Sequence, residues 1–297
     1  MSNALWWATF LALSGGAEPA SGPASQAAEV PGPLPFLLGL VAVGLCLLAA
    51  WVVRRIARPA KFTLRTSPGR PNALNPGHIL VVMLLLWGAS GLLNFSLRRT
   101  ALDSPQRDIL GSLGVQAVWL AASLVVGAAA FAWGLRRGMG LTGRRWILDS
   151  LRGVWAFLAV YPLCFGLLLL SEGLLNRWGL RIDEHKALRM VTQVTRPWLA
   201  LLVFSTVVVA PLTEEVFFRG LLQSMLRRYT GRPWVAILAA SAVFALLHDP
   251  YYYSIPPLLA LGVAIGYNYE RTGRLWAPVL IHALFNALYM GLKIAGS

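Results

Sequence analysis

The run WLALLVFSTVVVAPLTEEVFFRGLLQSMLRR, residues 198–228, decides how the whole chain is read. Its length exceeds the about 20 residues a helix needs to cross a bilayer. Yet Glu214, Glu215 and Arg219 sit inside it. An ionisable residue within a span costs about 2.5–3.5 kcal/mol on insertion scales, so it calls for a partner or a function.

Composition makes lipid the solvent. Of 297 residues, 57% are hydrophobic and only 13% charged, with a mean hydropathy of +0.62. A soluble domain carries about 25% charged residues. Further apolar runs lie at about 34–53, 78–97, 108–135, 151–171, 233–248, 255–270 and 276–293. With 198–228 they predict an all-α, polytopic transmembrane helix bundle of about eight spans, since a helix satisfies its backbone hydrogen bonds within lipid. The run 233–248 is short and 198–228 is interrupted by charge, so both rest partly on their neighbours.

Three regions follow. Residues 1–33 hold a short apolar segment (4–14), too short to span, and then a linker rich in Gly, Ala, Pro and Ser. No Lys or Arg precedes the apolar segment, which argues against a signal peptide. Residues 34–197 are N-terminal transmembrane helices. Residues 198–297 are the region with charge in its spans.

The net charge of +14 belongs to short tracts between spans. Arg54, Arg55, Arg58, Lys61, Arg65 and Arg70 follow the first. Arg136, Arg137, Arg144, Arg145 and Arg152 follow the third. Arg219, Arg227, Arg228 and Arg232 go with the fifth, and Arg271 and Arg274 follow the seventh. The positive-inside rule puts that side in the cytoplasm, which with eight spans leaves both termini outside an integral protein of the cell membrane. Arg98 and Arg99 oppose this locally. No nucleic acid partner is expected, because no recognition motif accompanies the charge. The expected partners are the lipid bilayer and a peptide or protein substrate at the membrane. Cys46 and Cys164 lie in apolar runs and read as small lipid- or core-facing side chains.

The intramembrane polar residues cluster after residue 210. Glu215 and Arg219 are spaced i,i+4 with the acid first, the favoured geometry for an ion pair, and read as scaffold. Glu214 points about 100° away. It has no local cation, which makes it the candidate general base. The alternative is that both acids lie at a headgroup boundary, with Pro211 ending a short span. His248 closes one run, and an interfacial histidine is its plainer reading. His282 and Asn286, again i,i+4, share one face of the last span, where helix–helix contact is the competing role. At 1.5 Å per residue, Glu214, His248 and His282 lie roughly 21, 24 and 12 Å from the basic end, so tilted helices can bring them together.

Two chemistries fit such a set. Glu214, His248 and His282 could hold a zinc ion and its water. Alternatively, Glu214 and a histidine activate water directly, while His282 and Asn286 stabilise the oxyanion. Both hydrolyse an acyl bond. No HExxH helix or GxSxG elbow is present.

Glu214-Glu215-Val-Phe-Phe-Arg219, Phe244-Ala-Leu-Leu-His248 and His282-Ala-Leu-Phe-Asn286 match, in order, the motifs EExxxR, FxxxH and HxxxN. In this the chain resembles the CPBP family, the CAAX protease, bacteriocin-processing or Abi group of intramembrane glutamic or metallo-endopeptidases. The resemblance covers about 198–293. It implies that Glu214 is the catalytic carboxylate, that Glu215 and Arg219 support it, and that His248, His282 and Asn286 complete the site. It also implies a membrane-embedded endopeptidase, described for the family both with a metal and as a metal-free glutamate mechanism. Two other classes stand beside it: a non-catalytic membrane immunity or partner protein, and an ion-coupled transporter, which lacks support from any inverted repeat.

The smaller features read structurally. Gly262 and Gly266 are a close-packing pair. Tyr251, Tyr252 and Tyr253 form an interfacial belt. Pro162 and Pro278 are expected to kink their spans, the second turning His282 inward. Asp249 reads as a loop acid that could orient His248. The mixed-charge tract 172–197, with Glu172, Asp183 and Glu184, reads as an amphipathic surface segment, and His78 and His185 carry no expected role.

Overall fold

A computed structural model describes residues 34–58, 64, 70–179, 185–248 and 252–296. The expectations for residues 1–33, Lys61, Arg65, Asp183, Glu184, Asp249 and Tyr251 lie outside these. Every regular element among the described residues is helical, apart from one isolated bridge pairing Asn72 with Phe131.

Among the described residues nine helices carry the fold: α1 Leu34–Ala57, α2 Pro76–Leu97, α3 Ser104–Ala130, α4 Trp146–Arg177, the short α5 Lys186–Met190, α6 Arg196–Thr230, α7 Pro233–Leu246, α8 Ile255–Thr272 and α9 Trp276–Ala295. Six of them (α1, α2, α3, α4, α6 and α9) are long and apolar enough to cross a membrane. The bundle is that of an integral membrane protein. The other two expected spans correspond to α7, an apolar helix of 14 residues, and α8, whose last turns carry Glu270 and Arg271.

The helices begin where local chemistry starts them. Asn75 and His78 form a reciprocal capping box that opens α2, and Pro76 occupies its first turn, where a missing N–H costs nothing. The left-handed glycines Gly231 and Gly273 end α6 and α8, a conformation glycine adopts without a Cβ penalty.

Burial separates the helices. α1 and α2 leave large apolar side chains such as Trp87, Val53 and Leu92 exposed, as a lipid-facing surface does. α6 is the axis: every residue from Val216 to Met225 is buried. α4 packs against α1, α8 and α9, and α7 packs against α8. Cys164 is buried in this core, whereas Cys46 faces outward, and both are free thiols.

Three expectations are corrected. Pro211 does not end a span, because α6 runs on through two π-helical stretches, Ser205–Val209 and Val216–Gln223. Pro278 lies in the first turn of α9 and opens that helix rather than kinking it. Arg219, read inside the fifth run as the partner of Glu215, is a fully buried side chain. The tract 172–197 is also no single surface segment. Its first part continues α4, and Met190 and Val191 are buried with Ile109, Leu202 and Met290.

The close-packing reading of the glycine pair holds. A Cβ on Gly262 would lie 3.0 Å from Ser241 Cβ of α7, and one on Gly266 would lie 2.8 Å from Gln223 Oε1 of α6.

Candidate active site

The site is built on α6, between its two π stretches. Glu215 is fully buried and accepts the Arg219 Nη1–H at 3.0 Å. The same oxygen, Glu215 Oε1, lies 2.8 Å from His282 Nδ1 on α9. A carboxylate oxygen accepts, so Nδ1 carries a proton. His282 Nε2 faces Glu214, whose Oε2 is 3.9 Å away. Glu214 Oε2 and Glu215 Oε2 are buried, and neither makes a hydrogen bond among the described residues.

Arg219 is held from three directions. Besides Glu215, its Nη2 donates to the Gly262 carbonyl at 3.1 Å, and its guanidinium lies 4.9 Å from the ring centroid of Phe244. The Phe244 ring also meets His282 at 5.5 Å and His248 at 4.9 Å, centroid to centroid. Phe244 is therefore the apolar hub of the site, a role its motif position did not reveal.

The six expected residues divide. Glu214, Glu215, Arg219 and His282 come together as one connected group. His248 lies beyond α7's last turn, and its Nδ1–H donates to the Phe244 carbonyl at 2.8 Å. Among the described residues it joins the group through the Phe244 ring. Asn286 turns to α6 and donates through Nδ2 to the Thr206 carbonyl at 2.9 Å.

The Thr206 bond has a local cause. In the π stretch the Ala210 N–H bonds the Ser205 carbonyl five residues back. The next bond in that series would come from residue 211, which is proline and has no N–H. Asn286 supplies the donor that Pro211 lacks. Asn286 and His282, expected at an oxyanion, are bonded here to Thr206 and Glu215.

The zinc expectation names Glu214, His248 and His282. No three His, Cys, Asp or Glu side chains converge as a metal site among the described residues. His282 Nδ1 is bonded to Glu215, with Nε2 toward Glu214, and His248 meets the Phe244 ring.

His185 was given no role, yet it belongs to this neighbourhood. It caps α5 by accepting the Ala187 N–H at Nδ1, 3.2 Å away. Burial, with His248 and Arg189 nearby, pulls its imidazole down to about 4. The only hint in the sequence was its place before a short helical stretch. His78, by contrast, serves as a helix cap.

A ladder anchors the site toward the basic end of the bundle. Arg219 bonds the Gly262 carbonyl, Gln223 Nε2 bonds the Gly266 carbonyl at 3.1 Å, and Arg227 pairs with Glu270 at 3.0 Å. Steps of four on α6 meet steps of four on α8, so the two helices are locked in register.

Fold and site together define a class: helical membrane proteins with a buried ionisable cluster inside the bundle. Comparison with known proteins is narrower. Residues 196–288 match the family model of the Rce1-like type II CAAX prenyl endopeptidases. The match contains all three motifs, so the resemblance holds over this region. The chain is 26% identical over 216 residues to an Escherichia coli protein described as an uncharacterized 24.3 kDa protein, covering 68% of this chain and 90% of that one. It is 27% identical over 97 residues to the "Putative membrane peptidase YdiL" of Bacillus subtilis (strain 168), covering 32% of this chain and 38% of that relative. No solved structure matches.

Proposed function

We propose that the protein is an intramembrane endopeptidase that hydrolyses peptide bonds of membrane-associated peptides or proteins, in the manner of CAAX processing. The observation that carries the reading is the arrangement Glu215–His282–Glu214. A separation of 3.9 Å between Glu214 Oε2 and His282 Nε2 is too long for a direct hydrogen bond. One water molecule, bonded to both atoms, spans it.

The roles follow from the bonds. Glu215, neutralised by Arg219, fixes the His282 tautomer and ring orientation. Glu214 removes a proton from the water. The hydroxide oxygen adds to the scissile carbonyl carbon, and the carbonyl π electrons pass to oxygen. Collapse of the intermediate breaks the C–N bond, and the leaving amine takes the proton from Glu214. His248 is assigned to the developing oxyanion as an imidazolium, donating through Nε2–H while Nδ1–H stays with the Phe244 carbonyl. Asn286 is a positioning residue that holds α9 to α6 through Thr206.

The protein is placed in the cell membrane with its basic end in the cytoplasm and both termini outside. The family match and the peptidase description of the Bacillus relative support a peptide substrate; the polytopic bundle supports its delivery from the bilayer.

The test is cleavage of a membrane-peptide library by the purified protein in lipid, wild type beside Glu214→Gln, each with and without a strong chelator. Loss of a general base reduces turnover by about 10²–10⁴-fold, and that loss is expected for Glu214→Gln. The metal-free step also expects the wild type to be indifferent to chelator. Equal cleavage by both proteins would sink the assignment.

A further inference from the structure

We propose that the groove between the segment 134–145 and the α8–α9 turn binds the phosphate-bearing headgroup of an anionic membrane lipid. The proposal is independent of the peptidase reading, since none of its residues belongs to that site.

The groove is a cavity of about 860 Å³ whose lining includes Arg136, Arg137, Thr142, Arg144, Arg145 and Arg274. The walls are fixed rather than loose. The Leu275 N–H bonds the Gly140 carbonyl at 3.1 Å, and Tyr269 Oη donates to the Met139 carbonyl at 3.0 Å. Gly140 takes a left-handed φ of +89°, and a Cβ there would run into the Gly273 carbonyl, so the two segments meet at a point that demands glycine. Arg274 is clamped by buried Asp149, with Nη2 to Oδ1 at 2.6 Å. That bonding raises the guanidinium still further above its ordinary range.

Charge identifies the ligand. Asp149 is committed to Arg274 and Arg152. Arg136, Arg137, Arg144 and Arg145 are exposed and make no ion pair among the described residues. Four like charges held on a fixed segment repel one another, and an anion placed between them offsets that repulsion. The guanidinium fork suits phosphate oxygens in pairs.

Surroundings identify the source of the phosphate. Trp133 and Trp146 are each 57% exposed and Trp276 is 46% exposed, with Ile147 and Leu148 also open beside them. Exposed tryptophans on a membrane protein mark headgroup depth. A phosphate held by the arginines would have acyl chains continuing along this apolar rim, as anionic lipids do in basic pockets at the membrane surface.

The experiment is native mass spectrometry of the full chain with three probes: short-chain phosphatidylglycerol, phosphatidylcholine of equal chain length, and inorganic phosphate. The wild type should retain phosphatidylglycerol in preference to both others. A juxtamembrane arginine is worth about fivefold in binding to an anionic surface. Arg144→Gln/Arg145→Gln and Arg136→Gln/Arg137→Gln should therefore each weaken retention about 25-fold, and Arg98→Gln/Arg99→Gln, at the other end of α3, should leave it unchanged. Undiminished retention in both groove variants overturns the proposal. So does equal loss in the control pair, which would make the effect one of general charge. Phosphate binding as well as the lipid does would make the groove a free-anion site and overturn the lipid assignment. Both groove pairs lack side-chain bonds to the bundle among the described residues, and unchanged thermal unfolding confirms that each variant is folded.

Discussion

Asn286 shows how one residue's role depends on a helix it does not belong to. Its motif position and its i,i+4 spacing from His282 point to chemistry, and both side chains do lie on one face of α9. The amide nevertheless meets the carbonyl that Pro211 leaves without a donor. Leaving a buried acceptor unpaired costs about 1–3 kcal/mol. Asn286→Ala is expected to lower stability by that amount. Pro211→Ala restores an N–H in the right place, so the loss should shrink in the double variant. A double-mutant cycle on thermal unfolding measures the difference; strict additivity would show that Thr206 is not the shared partner. Glu215 carries a similar lesson. Its spacing from Arg219 was legible in the sequence, and the pair forms as expected. That the same oxygen also holds His282 was not legible, because the two residues are 67 positions apart.

At the scale of elements, helix period explains most of what could be read and most of what was missed. The ladder from Arg219, Gln223 and Arg227 to Gly262, Gly266 and Glu270 repeats every fourth residue on both helices. Glycine spacing on α8 disclosed close packing, but not that the Gly262 and Gly266 carbonyls would receive side-chain donors from α6. The π stretches were invisible, since a fifth-residue hydrogen bond leaves no compositional signature. α5 yields a prediction of its own. Its cap, His185, accepts through Nδ1 and titrates near 4 in the fold, against 6.5 for the free side chain. A lowered histidine favours the neutral folded form, so its contribution is complete above about pH 6.5 and declines as the pH falls toward 4. The unfolding midpoint of the wild type should drop over that window. His185→Asn keeps a capping oxygen without a titrating ring and should flatten the drop; an equal decline in both would remove His185 as the cause.

Across the whole molecule, charge gathers at one end. The Asn72–Phe131 bridge lays the segment after α1 on the one after α3, and Arg70 shares a small cavity with Arg227, Arg228 and Glu270. Arg136 to Arg145 meet the α8–α9 turn. Tracts scattered through the sequence thus form one basic face, as an alternating set of spans requires. Single cysteines placed at Arg144 and at Arg99, in a background lacking Cys46 and Cys164, should react with impermeant reagents from opposite sides of sealed vesicles, the first from the cytoplasmic side. Labelling of both from one side would refute the topology.

The sequence by itself determined that the chain lives in lipid, that it is helical, where its spans fall within a few residues, and which carboxylates and histidines break the apolar pattern. Those are sums over local windows of composition and period, and packing leaves them unchanged. Packing settled the rest: Glu215 serves both Arg219 and His282, the Phe244 ring meets both histidines, and Asn286 answers a proline on another helix. The physical reason is that hydrogen-bond partners in a bundle are set by which donors and carbonyls meet once helices are in register, and that register is a property of the packed whole.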